Sequence, residues 1–260
     1  MPEISNEDVF LRLFRFFERL APRLFLVLIV VSLFLALMHH GFWQYGRDPG
    51  NITASFFDLD SESTVGSWFA SMQWFCISLA AAGAYLFEAV LKSEKRWRIW
   101  WLIFALVFLV ASLDDASILH ETVGELLKPQ FAKNGMAVSA FQYFRESPWL
   151  LFYALPLGSF ILISLVFLSS RFEGKNGSRR SLFLAGAGFA LFIVALTIEF
   201  VQGMPFDRLL PIATQFNCDC KSFYAGSVLL EETMENLGST CLLMSLFYYN
   251  LDLIAGRFSR

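Results

Sequence analysis

Apolar positions in this chain fall in long blocks rather than in alternation. Six runs, at about 22–43, 67–91, 98–119, 148–170, 181–201 and 225–251, carry few or no charges. Crossing a hydrocarbon core of about 30 Å takes roughly 20 helical residues, which is the length of these blocks. Barrel strands would instead show segments of about ten residues in strict alternation. The pattern therefore predicts an all-α, polytopic transmembrane bundle of six spans, occupying residues 22–256 as one domain. Ahead of it, residues 1–21 are expected as an amphipathic helix on the membrane surface, because Asn6–Leu20 mixes Phe and Leu with charges at helical spacing. The first run follows an arginine-rich stretch with no small-residue cleavage site after it, so it reads as a retained span.

Charge then sets an expected orientation. With the N-terminus inside, Arg12, Arg15, Arg19, Arg23, Lys92, Lys95, Arg96, Arg98, Arg171, Lys175, Arg179, Arg180, Arg257 and Arg260 are cytoplasmic, 14 of the 20 basic residues. Both termini are then cytoplasmic and the outer face is acidic. The expected location is a bacterial inner membrane, with the loops of greatest length facing the periplasm or exterior. Composition agrees: 56% of the 260 residues are apolar and 30 are Phe. Nothing suggests nucleic acid, since there is no basic stripe on a soluble face and no glycine-rich phosphate loop. The expected partners are the bilayer and either another membrane protein or further copies of the chain. Six tryptophans, Trp43, Trp68, Trp97, Trp100, Trp101 and Trp149, fall at span ends, as an interfacial belt would place them. Cys218 and Cys220 leave a bridge, free thiols and soft-metal binding all open.

Charged residues within spans are expensive in lipid and so point to an interior site. The outer end of the third span reads Ser112-Leu-Asp-Asp-Ala-Ser-Ile-Leu-His-Glu121. At about 100° per residue, Asp114, Ser117 and Glu121 share a face, with His120 on its flank and Asp115 turned away. The sixth span carries Glu231, Glu232 and Glu235, the fifth Glu199, and the first the pair His39 and His40, all near outer ends. Carboxylates gathered at low dielectric need protons or a cation to neutralise them. Imidazole with carboxylate suits Zn²⁺, Fe²⁺ or Mn²⁺ better than Ca²⁺. The expected divalent-metal set is Asp114, His120, Glu121, Glu231, Glu235, His39 and His40, with Glu199 or Glu232 as general acid or base. The same groups also suit mutual pairing that locks the bundle, with Arg145 or Arg208 as partners, and a proton or ion relay. Glu88, near the inner end of the second span, is expected to reach the interface or meet Lys92 at i+4.

Three segments, Phe57-Asp-Leu-Asp-Ser-Glu62 leading to Trp68-Phe69, Ser112–Glu121 and Glu231-Glu-Thr-Met-Glu235, resemble an uncharacterised family of bacterial multi-spanning membrane proteins. The resemblance covers most of the chain and implies a shared architecture with an acidic outer site. It brings no activity with it. From the residues, the expected function is a metal-dependent membrane enzyme, a hydrolase or oxidoreductase, acting on a lipid or other apolar substrate. A non-catalytic subunit of a membrane assembly and a cation or proton transporter stand as alternatives.

Overall fold

The computed structural model describes residues 6–45, 56–59, 64–119, 122–123, 126, 150–172, 179–204 and 206–258. Among these, seven helices and no strand occur: α1 (Asn6–Tyr45), α2 (Val65–Val90), α3 (Lys95–Ser117), α4 (Leu150–Phe172), α5 (Arg179–Gln202), α6 (Phe206–Gln215) and α7 (Cys220–Phe258). All but α6 are long and apolar enough to cross a membrane, and the chain is a multi-pass helical membrane protein.

Two elements differ from the sequence reading in extent. The amphipathic stretch and the first span are one continuous helix of 40 residues with Pro22 inside it. Proline there removes a backbone donor and crowds the carbonyl one turn back, yet in an apolar setting the remaining amides gain more by continuing the helix than by leaving it. Helix α7 runs 39 residues, well past the apolar block at both ends. Its start is fixed by Asp219, whose carboxylate accepts from the Ser222 N–H at 2.8 Å and the Ser222 hydroxyl at 3.1 Å. Those two donors hold the Asp219 carboxyl below the usual carboxylate range.

Helix α7 is the axis of the bundle, with α1, α2, α5 and α6 packed on it, α3 on α2, and α4 on α5. Phe17, early in α1, packs edge-on against Phe247, late in α7. The start of α1 and the end of α7 therefore lie at one end of the bundle, here the basic end, which also holds the 90–95 connection. The other, acidic end holds Thr64, which caps α2 in a capping box with Ser67. Helix α2 stops at the basic end because Lys92 takes φ 54 and the Ser93 N–H reaches back to the Glu88 carbonyl at 3.0 Å.

Small residues decide how closely the helices approach. Gly188 of α5 and Gly238 of α7 face each other, so that a Cβ built on Gly188 would lie 2.9 Å from the Gly238 carbonyl oxygen. Helices α2 and α3 are joined by serine hydroxyls: Ser71 donates to the Ser112 carbonyl at 2.9 Å, Ser112 donates to the Ser71 carbonyl at 2.9 Å, and Ser78 donates to the Ala105 carbonyl at 2.7 Å. Helix α2 meets α7 through Gln73, whose amide donates to Thr240 at 2.7 Å and accepts from Ser239 at 2.5 Å. Asn250 adds a donor to the Ala80 carbonyl at 2.8 Å.

Gln73 is buried and both ends of its amide are used, so Gln73→Leu is expected to destabilise the bundle by about 1 kcal/mol, the usual worth of an interhelical polar contact in a bilayer. The loss stays modest because Ser239 can fall back on its own-helix carbonyl of Glu235, already 3.0 Å away. Unfolding of the purified variant by titration with a denaturing detergent measures it.

Candidate functional site

At the acidic end the sixth span brings its carboxylates against α5. Glu231 is buried, and one of its oxygens accepts from the Gln202 amide at 2.6 Å. Glu199 lies three residues before Gln202 on the same helix. Because α5 and α7 run antiparallel, the Gln202–Glu231 contact sets Glu199, about 4.5 Å further in along α5, between the levels of Glu231 and Glu235. Glu235 is one turn deeper. It precedes Gly238, which faces α5, by three residues and Ser239, which bonds α2, by four. At about 100° per residue it therefore points into the groove between α2 and α5. Glu232 falls on the α2-facing side.

Helix α3 contributes less than its wheel suggested. Asp114 and Asp115 are both half-buried near its end, but Ser117 is exposed and donates to the Leu113 carbonyl of its own helix at 2.5 Å. Ile118 then takes a left-handed conformation, φ 57, and caps the helix. The regular 100° rotation is broken there, so the face predicted for Asp114, Ser117 and Glu121 is interrupted before Glu121. His120 and Glu121 lie outside the described residues.

His39 is fully buried, and its Nδ1 accepts the Leu59 N–H at 2.9 Å with the Asp58 carboxylate 3.5 Å away. This bond ties the Phe56–Leu59 segment to the end of α1. Leu59 in turn covers Gly66, where an added Cβ would meet its Cδ2 at 2.4 Å. With Nδ1 as acceptor, the neutral ring carries its proton on Nε2, the reverse of a ligating histidine, which donates its second N–H to a supporting group. His40, its neighbour, is exposed. Among the described residues no three His, Cys, Asp or Glu side chains come together closely enough to hold a metal ion. All four cysteines are free thiols.

A second polar centre lies at the basic end, built on Glu88 with partners that the sequence did not point to. Glu88 is 0% exposed and does not meet Lys92. Helix α2 ends at Val90, so the i+4 geometry is lost, and the partner comes from α4 instead. Arg171 donates to Glu88 Oε1 through both Nε, at 2.7 Å, and Nη2, and its Nε also lies 2.9 Å from the Tyr249 hydroxyl. Tyr249 of α7 donates to the same Oε1. A carboxylate at the C-terminal end of α2 opposes the helix dipole, whereas Arg171 in the last turn of α4 suits it. Rings close the site: Arg171 lies 5.6 Å from the Trp97 centroid, and Trp101 and Phe172 stand 5.0 and 4.9 Å from Tyr249. Trp101 is thus core rather than interfacial belt. The available signal was a lone carboxylate inside an apolar block, at the same membrane depth as an arginine ending another block.

Between the two centres lies an apolar layer. Trp74 stacks on Phe108 at 5.6 Å and on Phe192 at 4.9 Å. Ile77, Ala81, Leu242, Leu243 and Leu246 fill the space around this stack. Thr240 and Tyr249 are nine residues apart on α7, so the layer is about 13 Å deep.

No curated protein and no solved structure matches the chain. Residues 19–249, most of its length, match the domain of unknown function DUF8692, and the chain belongs to that family.

Proposed function

We propose that the acidic end faces the periplasm or exterior of a bacterial inner membrane and binds a divalent cation, Zn²⁺, Fe²⁺ or Mn²⁺ ahead of Ca²⁺, in a membrane enzyme acting on a lipid or other apolar substrate. One observation carries the reading: Glu231 is withdrawn from water yet oriented by Gln202, with Glu235 one turn further in along α7. Two carboxylates at successive depths, approached from one end of a bundle, call for a positive counter-charge. Glu231 and Glu235 serve as ligands, completed by His120 and Glu121 from the segment beyond α3; Asp114 does not form a three-residue group with the two glutamates among the described residues. Glu199 and Glu232 act as proton donor and acceptor. His39 is assigned to anchoring rather than ligation, because its Nδ1 is already an acceptor. The aromatic layer favours a one-sided site over a conducting path.

The test is elemental analysis of the full chain purified in detergent, beside Glu231→Gln/Glu235→Gln. About one or two metal equivalents per chain in the wild type, lost in the double variant, support the proposal. A wild-type protein that purifies without metal and takes none up on dialysis against Zn²⁺, Fe²⁺ or Mn²⁺ overturns it.

A further inference from the structure

Helix α4 is held unlike the other spans. Its backbone packs against α5, and toward α3 it presents rings: Phe160 lies 5.4 Å from Phe104 and 5.9 Å from Phe108, and Phe167 lies 5.0 Å from Trp101 and 5.8 Å from Trp97 and Trp100. Ring-to-ring contact is apolar, lacks hydrogen bonds and holds position weakly against sliding. The one polar link to another helix that the described residues of α4 make is Arg171, at the extreme basic end. Near its acidic end Pro156 removes a backbone hydrogen bond, and two residues on Gly158 has open space where a side chain would stand. Midway between, the Ser164 hydroxyl is fully buried with no hydrogen-bond partner among the described residues, not even a carbonyl of its own helix.

We propose that α4 is a hinged gate in the side of the bundle. Ser159–Phe172 swings on the Pro156–Gly158 hinge, and the Glu88–Arg171–Tyr249 cluster is the latch that keeps it shut. With the latch closed, Phe160 and Phe167 cover the seam of Phe104, Phe108 and Trp101. With it open, that seam faces the hydrocarbon of the bilayer. The inference stands on the packing of α4 and is independent of whether the acidic end binds metal.

Distances between spin labels in lipid nanodiscs test it. Labels go on Val166→Cys in α4 and Val90→Cys in α2, both exposed positions, with the four native cysteines replaced by serine. A control pair joins Val90→Cys to Phe183→Cys of α5. The intact latch is expected to give one narrow distance for each pair. Arg171→Gln, and more mildly Tyr249→Phe, is expected to add a longer distance to the α4 pair and leave the control pair unmoved. An α4 pair that stays as narrow as the control in both variants overturns the gate. Broadening of both pairs together also overturns it, because the cluster would then be holding the whole bundle rather than one helix.

Discussion

Arg171→Met is expected to destabilise the protein by about 3–5 kcal/mol, the range for removing one partner of a buried ion pair. The removed partner decides the size. Glu88 is 0% exposed while Arg171 is 16% exposed, so the two single variants are unequal. Without the guanidinium, the Glu88 carboxylate is stranded in an aromatic cage and must be protonated or drag water in. Without the carboxylate, the long Arg171 side chain can turn toward the basic end and recover some hydration, so Glu88→Met is expected to cost less, about 2–3 kcal/mol. The double variant, with the site filled by two thioether chains, is expected to lie closer to wild type than Arg171→Met does. A coupling of about 2 kcal/mol or more in the cycle shows a direct interaction. If the two single losses simply add in the double variant, the pair contributes nothing as a pair.

This centre shows where sequence reading reaches and where it stops. Span existence follows from the length of each apolar block against the bilayer, a constraint local to the block, and all six blocks correspond to long apolar helices. The extent of α1 and α7 was harder to read, because a helix can carry polar residues beyond the hydrocarbon and hydropathy is silent there. Glu88 stood out as a charge in a span, but its partner lies 83 residues away on α4. Only the near-neighbour Lys92 was visible by spacing, and it falls past the end of the helix. Trp101 likewise has the spacing of an interfacial belt and the burial of a core residue.

The acidic end was more legible, for a related reason. Glu231 and Glu235 lie inside one uninterrupted helix, so a helical projection places them correctly relative to each other. The same projection carried Asp114 on to Glu121 across Ile118, whose positive φ no periodicity announces. Gln202, which orients Glu231, and Gln73, which joins α2 to α7, are uncharged and so drew no attention. A buried amide with both ends used nevertheless fixes its neighbours with the same specificity that an ion pair does.

The second large effect is expected at the crossing of α5 and α7. A methyl group at Gly188 would meet Leu242 Cγ at 2.8 Å and the Gly238 carbonyl oxygen at 2.9 Å, and one at Gly238 would meet Phe192 Cε2 at 3.0 Å and the Gly188 carbonyl oxygen at 3.1 Å. A leucine side chain can rotate away, but a backbone carbonyl can retreat only if the helices separate. Gly188→Ala is therefore expected to destabilise by about 2–3 kcal/mol, the upper part of the overpacking range. Gly186→Ala, two residues away with nothing within 4 Å of the new group, is expected to be neutral or to stabilise by about 0.5 kcal/mol through helix propensity. The contrast matters for the acidic end as well. The Gln202–Glu231 bond spans the same two helices, about two turns from the crossing along α7 and four along α5, so a wedge at Gly188 stretches it without touching a carboxylate. Under the metal reading proposed above, Gly188→Ala is expected to weaken metal uptake along with stability, and Gly186→Ala to leave both unchanged. A Gly188→Ala protein that unfolds like the wild type would mean that the two helices do not meet as closely as their glycines indicate.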